Sequence, residues 1–162
     1  AVRNPVDHNA DYGVRRGMIR ITFACVGKLK ENYWRDAVAE YIKRLSRFCK
    51  TEIRELPERS SPKEEAEEIL RACRGYVIAL AVEGRGCSSE KLAEKLKALC
   101  DRGEEITFVI GSSCGLDGRV KAAANELLSF SEMTFPHQIM RVILLEQVYR
   151  AFMINAGGEY HK

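Results

Sequence analysis

The chain of 162 residues has no hydrophobic run long enough to cross a bilayer. Its longest unbroken apolar stretches, such as Tyr76–Val82, fall far short of the ~20 residues a membrane helix needs. Neither a membrane span nor a secretory segment is expected. Charge of one sign is scarce too. Lys and Arg number 26 against 23 Asp and Glu, a formal net charge of +3. A protein that held RNA by electrostatics alone would carry a larger basic excess. This balance permits a nucleic-acid partner without requiring one. Histidine is sparse, with His8, His137 and His161. Paired thiols are missing. Cys25, Cys49, Cys73, Cys87, Cys100 and Cys114 show no C-x-x-C and no zinc-knuckle spacing, which leaves little for disulfide exchange or a structural metal. Several lie in apolar runs, where reduced cysteine acts as a small hydrophobe. Reduced thiols in a cytoplasmic protein without a metal are the expectation. Neither G-x-G-x-x-G nor G-x-x-x-x-G-K-[ST] occurs, which argues against a dinucleotide oxidoreductase and a P-loop nucleotidase. A hydrolase-type nucleophile elbow is not expected either.

What is present alternates between strand and helix. Ile19, Ile21, Phe23 and Cys25 alternate with Arg20, Thr22 and Ala24, which predicts a strand over Ile19–Val26 that Gly27 ends. Helical spacing of Tyr33, Trp34, Ala37, Val38, Tyr41, Ile42, Leu45 and Phe48 predicts a helix over Asn32–Cys49. Thr51–Leu56 returns to a strand pattern. Ser61-Pro62-Lys63-Glu64 then opens a helix: a capping hydroxyl, a proline at the first position and a glutamate that completes a capping box. Gly75 stops it. Tyr76–Val82 and Ile106–Ile110 are continuous apolar runs, the pattern of strands covered on both faces. Between them Glu83–Gly86 reads as a loop, followed by a short helix carrying Leu92, Leu96 and Leu99. Val120–Glu126 reads as helix, Leu127–Phe130 as a short strand and His137–Phe152 as a long amphipathic helix. The order implies one α/β domain with a mainly parallel sheet flanked by helices. Residues Ala1–Gly17 are polar and aperiodic. They read as an extension, with the domain running from Met18 to Lys162.

In such a sheet, ligands bind outside the carboxyl ends of the strands. Three ends are glycine-rich or irregular: Leu80–Gly84, Gly111–Gly115 and Phe130–Pro136. Taken singly, each is an ordinary strand-to-helix turn; three at one edge point to a ligand. His137 and His161 remain candidates for proton transfer, one at a helix start and one in the tail.

Val26-Gly27-Lys28-Leu29-Lys30, Tyr41 to Leu45, Ala81-Val82-Glu83-Gly84 and Phe108-Val109-Ile110-Gly111 resemble the ribosomal large-subunit RNA methyltransferase H family. Phe130 through Arg141, Glu146 through Phe152 and the terminal Tyr160-His161-Lys162 extend the resemblance over essentially Met18 to Lys162. It implies a SPOUT-class fold with a C-terminal trefoil knot, a homodimer whose active site draws on both subunits, and no metal. The implied reaction is methylation at N3 of a pseudouridine in large-subunit ribosomal RNA, with S-adenosyl-L-methionine as donor and the ribosome as partner. By position, the resemblance assigns cofactor contacts to Leu80, Gly111, Phe130, Ser131, Glu132, Met133, Thr134 and Phe135. His137, Arg141, Tyr160 and His161 are the candidates for catalysis. Which of them removes the N3 proton is left open. The family usually has a second glycine where Ser112 stands. A left-handed backbone at Ser112 would be strained, so a different local loop shape is expected.

Two other readings compete: a non-catalytic RNA-binding or ribosome-associated module on the same fold, and a thiol-redox protein. Two structural expectations accompany the methyltransferase reading. Met140, Leu144, Leu145 and Met153 give the last helix more apolar positions than one stripe needs, which suggests a partner interface. Gly157 and Gly158 should break that helix and let the tail turn.

Overall fold

The computed structural model describes residues 17–161. Nearly all of the expected extension, residues 1–16, lies outside the described residues, as does Lys162. The elements are β1 (Arg20–Val26), α1 (Asn32–Leu45), β2 (Lys50–Leu56), α2 (Pro62–Ala72), β3 (Tyr76–Gly86), α3 (Ser89–Asp101), β4 (Ile106–Ile110), α4 (Gly118–Ala123), β5 (Glu126–Ser129) and α5 (His137–Asn155). The five strands form one sheet in the order β2-β1-β4-β3-β5. Every adjacent pair is parallel.

Two cores sandwich the sheet. Ile21, Phe23 and Cys25 of β1 pack with α1, α3 and α5 in the larger one. Ala24 and Val26 face the smaller one, beneath α2 and α4. The period-two pattern of β1 therefore does not mark a solvent face. Helices cover both faces of β1, a strand paired on both edges by β2 and β4, and small residues suit the tighter side.

Several boundaries differ from the sequence pattern. α1 ends at Leu45, not Cys49, because the Phe48 and Cys49 N–H groups both turn back to Leu45 O and β2 begins at Lys50, while β5 ends at Ser129, one residue before Phe130. The predicted loop Glu83–Gly86 belongs to β3. Leu80 pairs with Leu128, the chain bulges outward, and Arg85 returns opposite the same Leu128. The bulge lets one strand pair twice with β5, which no local periodicity reveals. α4 is shorter than expected. Asp117 caps it by accepting from the Arg119 N–H at 2.9 Å. Asn125 ends it by accepting from the Val77 N–H and donating its own N–H to Val77 O. Glu126 is thereby drawn into β5. α5 runs past Phe152 to Asn155. There Gly157, with φ of +73°, donates to Ile154 O at 3.0 Å and Gly158 donates to Met153 O at 2.9 Å. That pair of bonds turns the chain and satisfies the last carbonyls, as the glycine pair led one to expect.

No α5 residue is fully exposed. Leu144 and Leu145, expected at a partner interface, are completely buried in the protomer's own core. α5 is wedged against both α1 and α3, so it needs apolar residues nearly all round. The apolar α5 side chains that lie outside both cores are Ile139 and Ile143, each half-buried.

Candidate functional site

Parallel pairing puts every strand's carboxyl end on one edge. The loops after β4 and β5 and the bulge within β3, three adjacent strands, enclose a cavity of about 630 Å³, the size of a small-molecule site. Leu80 and the bulge residues 81–83 form one wall, Gly111 through Leu116 a second, and the stretch from Leu128 to His137 the third. Leu80, Gly111, Phe130, Ser131, Met133, Thr134 and Phe135 all border the cavity. Glu132 does not. The Ser131 hydroxyl accepts from the Met133 N–H at 2.9 Å, a local turn that leaves Glu132 exposed at its apex. Met133 is 74% exposed and Phe135 38%. Apolar groups left this open at a cavity mouth suit a flat ring or a partner.

The loop after β4 folds back on itself. Gly115 donates its N–H to Ser112 O at 2.9 Å. A Cβ at Gly111 would lie 2.8 Å from Leu116 Cδ2 and 2.9 Å from Gly115 O. Glycine is required there by the loop's own closure, before any ligand enters. No non-glycine residue among those described has positive φ, so Ser112 escapes the strain expected of it. It is buried instead, and its hydroxyl donates to Glu65 Oε1 at 2.9 Å.

Gly111-Ser112-Ser113-Cys114-Gly115 does spell G-x-S-x-G, contrary to the expectation that no such elbow would be found. The geometry is not that of a nucleophile. Ser113 is exposed, no hydrogen bond joins it to a histidine among the described residues, and the next helix opens only at Gly118. A serine without a base is a weak nucleophile.

The four proposed catalytic residues are not gathered together within the chain. His137, first in α5, borders the cavity. Its Nε2 and the Glu58 carboxyl both flank Gly27, 3.6 and 3.7 Å from where a Cβ would stand. Arg141, one turn on, lies behind the cavity at 1% exposure. It pairs with Glu55 Oε2 at 2.7 Å and donates to Gly27 O at 3.1 Å, while its Nε has no partner among the described residues. Arg141 therefore ties α5 to the ends of β1 and β2. Burial pushes the neighbouring Cys25 thiol up to about 11, with Arg141 opposing the shift.

Tyr160 and His161 dock elsewhere. The Tyr160 ring meets Tyr149 edge-on at 5.0 Å and its hydroxyl donates to Glu146 Oε1 at 3.2 Å. Burial, then the nearby Glu146, pushes that phenol up to about 12, far from an anion at neutral pH. Arg150 donates to His161 Nδ1 at 3.1 Å, and the ring's Nε2 lies 2.7 Å from Glu90 Oε1.

Glu55, Glu58 and Glu65 were not singled out by the sequence. Nothing distinguishes them among 23 acidic residues until the fold sets them beside Arg141, His137 and Ser112. Among the described residues, no group of three or more His, Cys, Asp or Glu is placed to hold a metal ion.

Fold and cavity define a parallel α/β protein with a cavity of ligand size at the carboxyl edge of its sheet. The family described as predicted SPOUT methyltransferase matches residues 19–161. The chain is 47% identical to ribosomal RNA large subunit methyltransferase H of Lactobacillus delbrueckii subsp. bulgaricus and 49% identical to that of Bifidobacterium adolescentis, covering 89% of this chain and 100% of each relative. Two solved structures share the fold. One is a probable methylase family protein from Haemophilus influenzae, with a TM-score of 0.56, 15% identity, and coverage of 89% of this chain and 70% of that one. The other, of similar description from Neisseria gonorrhoeae, has a TM-score of 0.51, 15% identity, and coverage of 91% and 86%. The chain belongs to the SPOUT methyltransferases and, within them, to the ribosomal RNA large subunit methyltransferase H family.

Proposed function

We propose that the protein methylates large-subunit ribosomal RNA at N3 of a pseudouridine on the assembled ribosome, in the cytoplasm, as a homodimer using S-adenosyl-L-methionine. The observation that carries the reading is the cavity between the bulge of β3 and the ends of β4 and β5, bordered by seven of the eight residues to which the resemblance gives cofactor contacts. Its volume, its backbone-lined loops and the apolar side chains of Leu80, Met133 and Phe135 fit a nucleoside carrying a thioether chain. S-adenosylmethionine bound there supplies an electrophilic methyl on a sulfonium.

In the transfer, a bond forms between N3 and the methyl carbon while the carbon–sulfur bond breaks and its electron pair stays on sulfur. The N3 proton must go to a base. Positioning supplies much of the rate in such an in-line displacement, and the loops after β4 and β5, closed by their own hydrogen bonds, would provide it. His137 is the candidate at the cavity wall. Tyr160 and His161 are the candidates that would meet RNA, by stacking on a base and by moving a proton. They do not border their own protomer's cavity, which supports a reading in which a partner's tail completes the site. Ile139 and Ile143 on α5, with exposed Met133 and Phe135, offer the apolar surface for that dimer. The trefoil knot belongs to the same reading.

Mass spectrometry of ribosomal RNA from a strain lacking the gene, with and without complementation, tests the proposal. One methylated pseudouridine should disappear from the large-subunit RNA and return. An unchanged modification profile would refute it.

A further inference from the structure

Glu65 is a buried carboxyl group that the methyl-transfer reading does not use. It is 1% exposed, in the first turn of α2. No cation pairs with it among the described residues; both its oxygens go to neutral donors. A carboxyl group in such a place is costly unless its oxygens are satisfied. Oε1 accepts from the Ser112 hydroxyl at 2.9 Å and Oε2 from the Arg59 backbone N–H at 3.0 Å.

Helix capping does not account for it. Ser61 caps α2 by accepting from the Glu64 N–H. Glu64 reaches back to Ser60, accepting from its hydroxyl at 2.7 Å and its N–H at 3.3 Å. Capping is complete without the next residue.

Glu65 instead joins two loops. One is the loop after β4, whose residues 111–116 border the cavity. Ser113, Cys114 and Gly115 are exposed. Among the described residues, the Ser112–Glu65 bond is the one side-chain hydrogen bond that ties residues 111–115 to another element. The other is the loop from β2 to α2. Arg59 follows Glu58, whose carboxyl flanks Gly27 together with His137.

We infer that Glu65 is a positioning residue for methyl transfer, holding the cofactor loop at Ser112 and the β2–α2 loop at Arg59 in one fixed relation. The inference rests on the proposed reading of the cavity as the cofactor site. It assigns Ser112 a part that a glycine could not play, because glycine has no hydroxyl to offer the carboxyl.

The test uses the full chain with Ser112→Ala, Glu65→Leu and the double variant. Calorimetry with S-adenosylhomocysteine, methylation kinetics on ribosomes and thermal melting are read in parallel. Ser112→Ala should weaken S-adenosylhomocysteine binding roughly tenfold, the worth of one lost hydrogen bond to a buried acceptor. Its kcat at saturating cofactor should fall less than in a variant that frees both loops. Glu65→Leu fills much of the same space but accepts at neither position, whereas a Gln amide could accept from the Arg59 N–H and donate to the Ser112 hydroxyl. Glu65→Leu should weaken binding to at least the same degree and lower kcat further, because the second loop is released as well. The double variant should bind no more weakly than Glu65→Leu, since both changes remove the same contact.

A purely structural role would lower the melting temperature and leave the affinity of the folded protein unchanged. Wild-type affinity in folded Ser112→Ala and Glu65→Leu, or strictly additive losses in the double variant, would overturn the inference alone. Should Glu65→Leu fail to fold, Ser112→Ala decides by itself. A wild-type protein that does not bind S-adenosylhomocysteine would overturn the reading of the cavity and this inference with it.

Discussion

The carboxyl edge of the sheet and the C-terminal tail carry the two halves of the proposed chemistry, and they are held by different means. The edge is shaped by backbone turns and short internal bonds. Its loops close through Gly111, the Ser112–Gly115 bond, the Ser131 hydroxyl turn and the buried Ser112–Glu65 bond, all within one chain. The tail is held by side chains. Tyr160 rests on Tyr149 and Glu146, and His161 on Arg150 and Glu90, the last of these well exposed. Contacts between partly exposed polar groups are individually weak, so a tail held this way can exchange them for other partners at little cost. A pocket closed by its own turns cannot. A cofactor site is best formed before its ligand arrives, whereas a group that acts on a large RNA gains from being able to move to it.

The comparison can be broken first at the tail. Deleting Tyr160–Lys162 should reduce methylation of ribosomes below detection while S-adenosylhomocysteine affinity stays within about twofold of the full chain, within the scatter expected for sites that share no partner. Calorimetry beside single-turnover kinetics checks this. Retained methylation would make the tail a mere terminus, and lost cofactor binding would make it part of the pocket.

At the edge, Gly111→Val should weaken cofactor binding roughly a hundredfold, because the added atoms meet Leu116 and the Gly115 carbonyl and force the loop open. Circular dichroism should show a folded protein, since the strain is confined to one loop. Native affinity in that variant would move the site elsewhere.

Arg141 joins the edge to α5. Arg141→Leu leaves Glu55 without its buried partner and should lower stability by about 2–3 kcal/mol, less than for a fully enclosed pair because Glu55 is about one-third exposed. Urea unfolding measures it; no change would mean the pair is isoenergetic with its replacement.

The smallest effect is chemical. Cys87 and Cys114 are exposed, whereas burial pushes Cys25 and Cys49 up to about 11. Their thiolate population at neutral pH is correspondingly small. A maleimide should label Cys87 and Cys114 in the native protein and spare the buried pair. Saturating S-adenosylhomocysteine should slow Cys114 several-fold, because Cys114 borders the cavity, and leave Cys87 unaffected. Equal rates at Cys114 with and without ligand would count against the site.

The sequence made the edge legible and the tail not. Continuous apolar runs at Tyr76–Val82 and Ile106–Ile110 mark interior parallel strands, and the irregular stretches after them follow as candidate loops. Those are local signals. The bulge that carries β3 on to Gly86 depends on a second pairing with Leu128, a contact far away in the chain. The position of Arg141 was equally hidden. A guanidinium on a helix reads as solvated, and its partner Glu55 is one more charge on a polar edge strand. Excess apolar residues on α5 suggested an interface, but Leu144 and Leu145 are consumed by packing against α1 and α3. Periodicity counts apolar faces without saying which neighbour covers each one.

The central claim is most directly tested by incubating the purified protein with ribosomes lacking the modification and isotopically labelled S-adenosylmethionine, then mapping the product by mass spectrometry. The account predicts one labelled methyl group per ribosome, on N3 of a single pseudouridine in the large-subunit RNA. No transfer, or a label on another base or on protein, would contradict it.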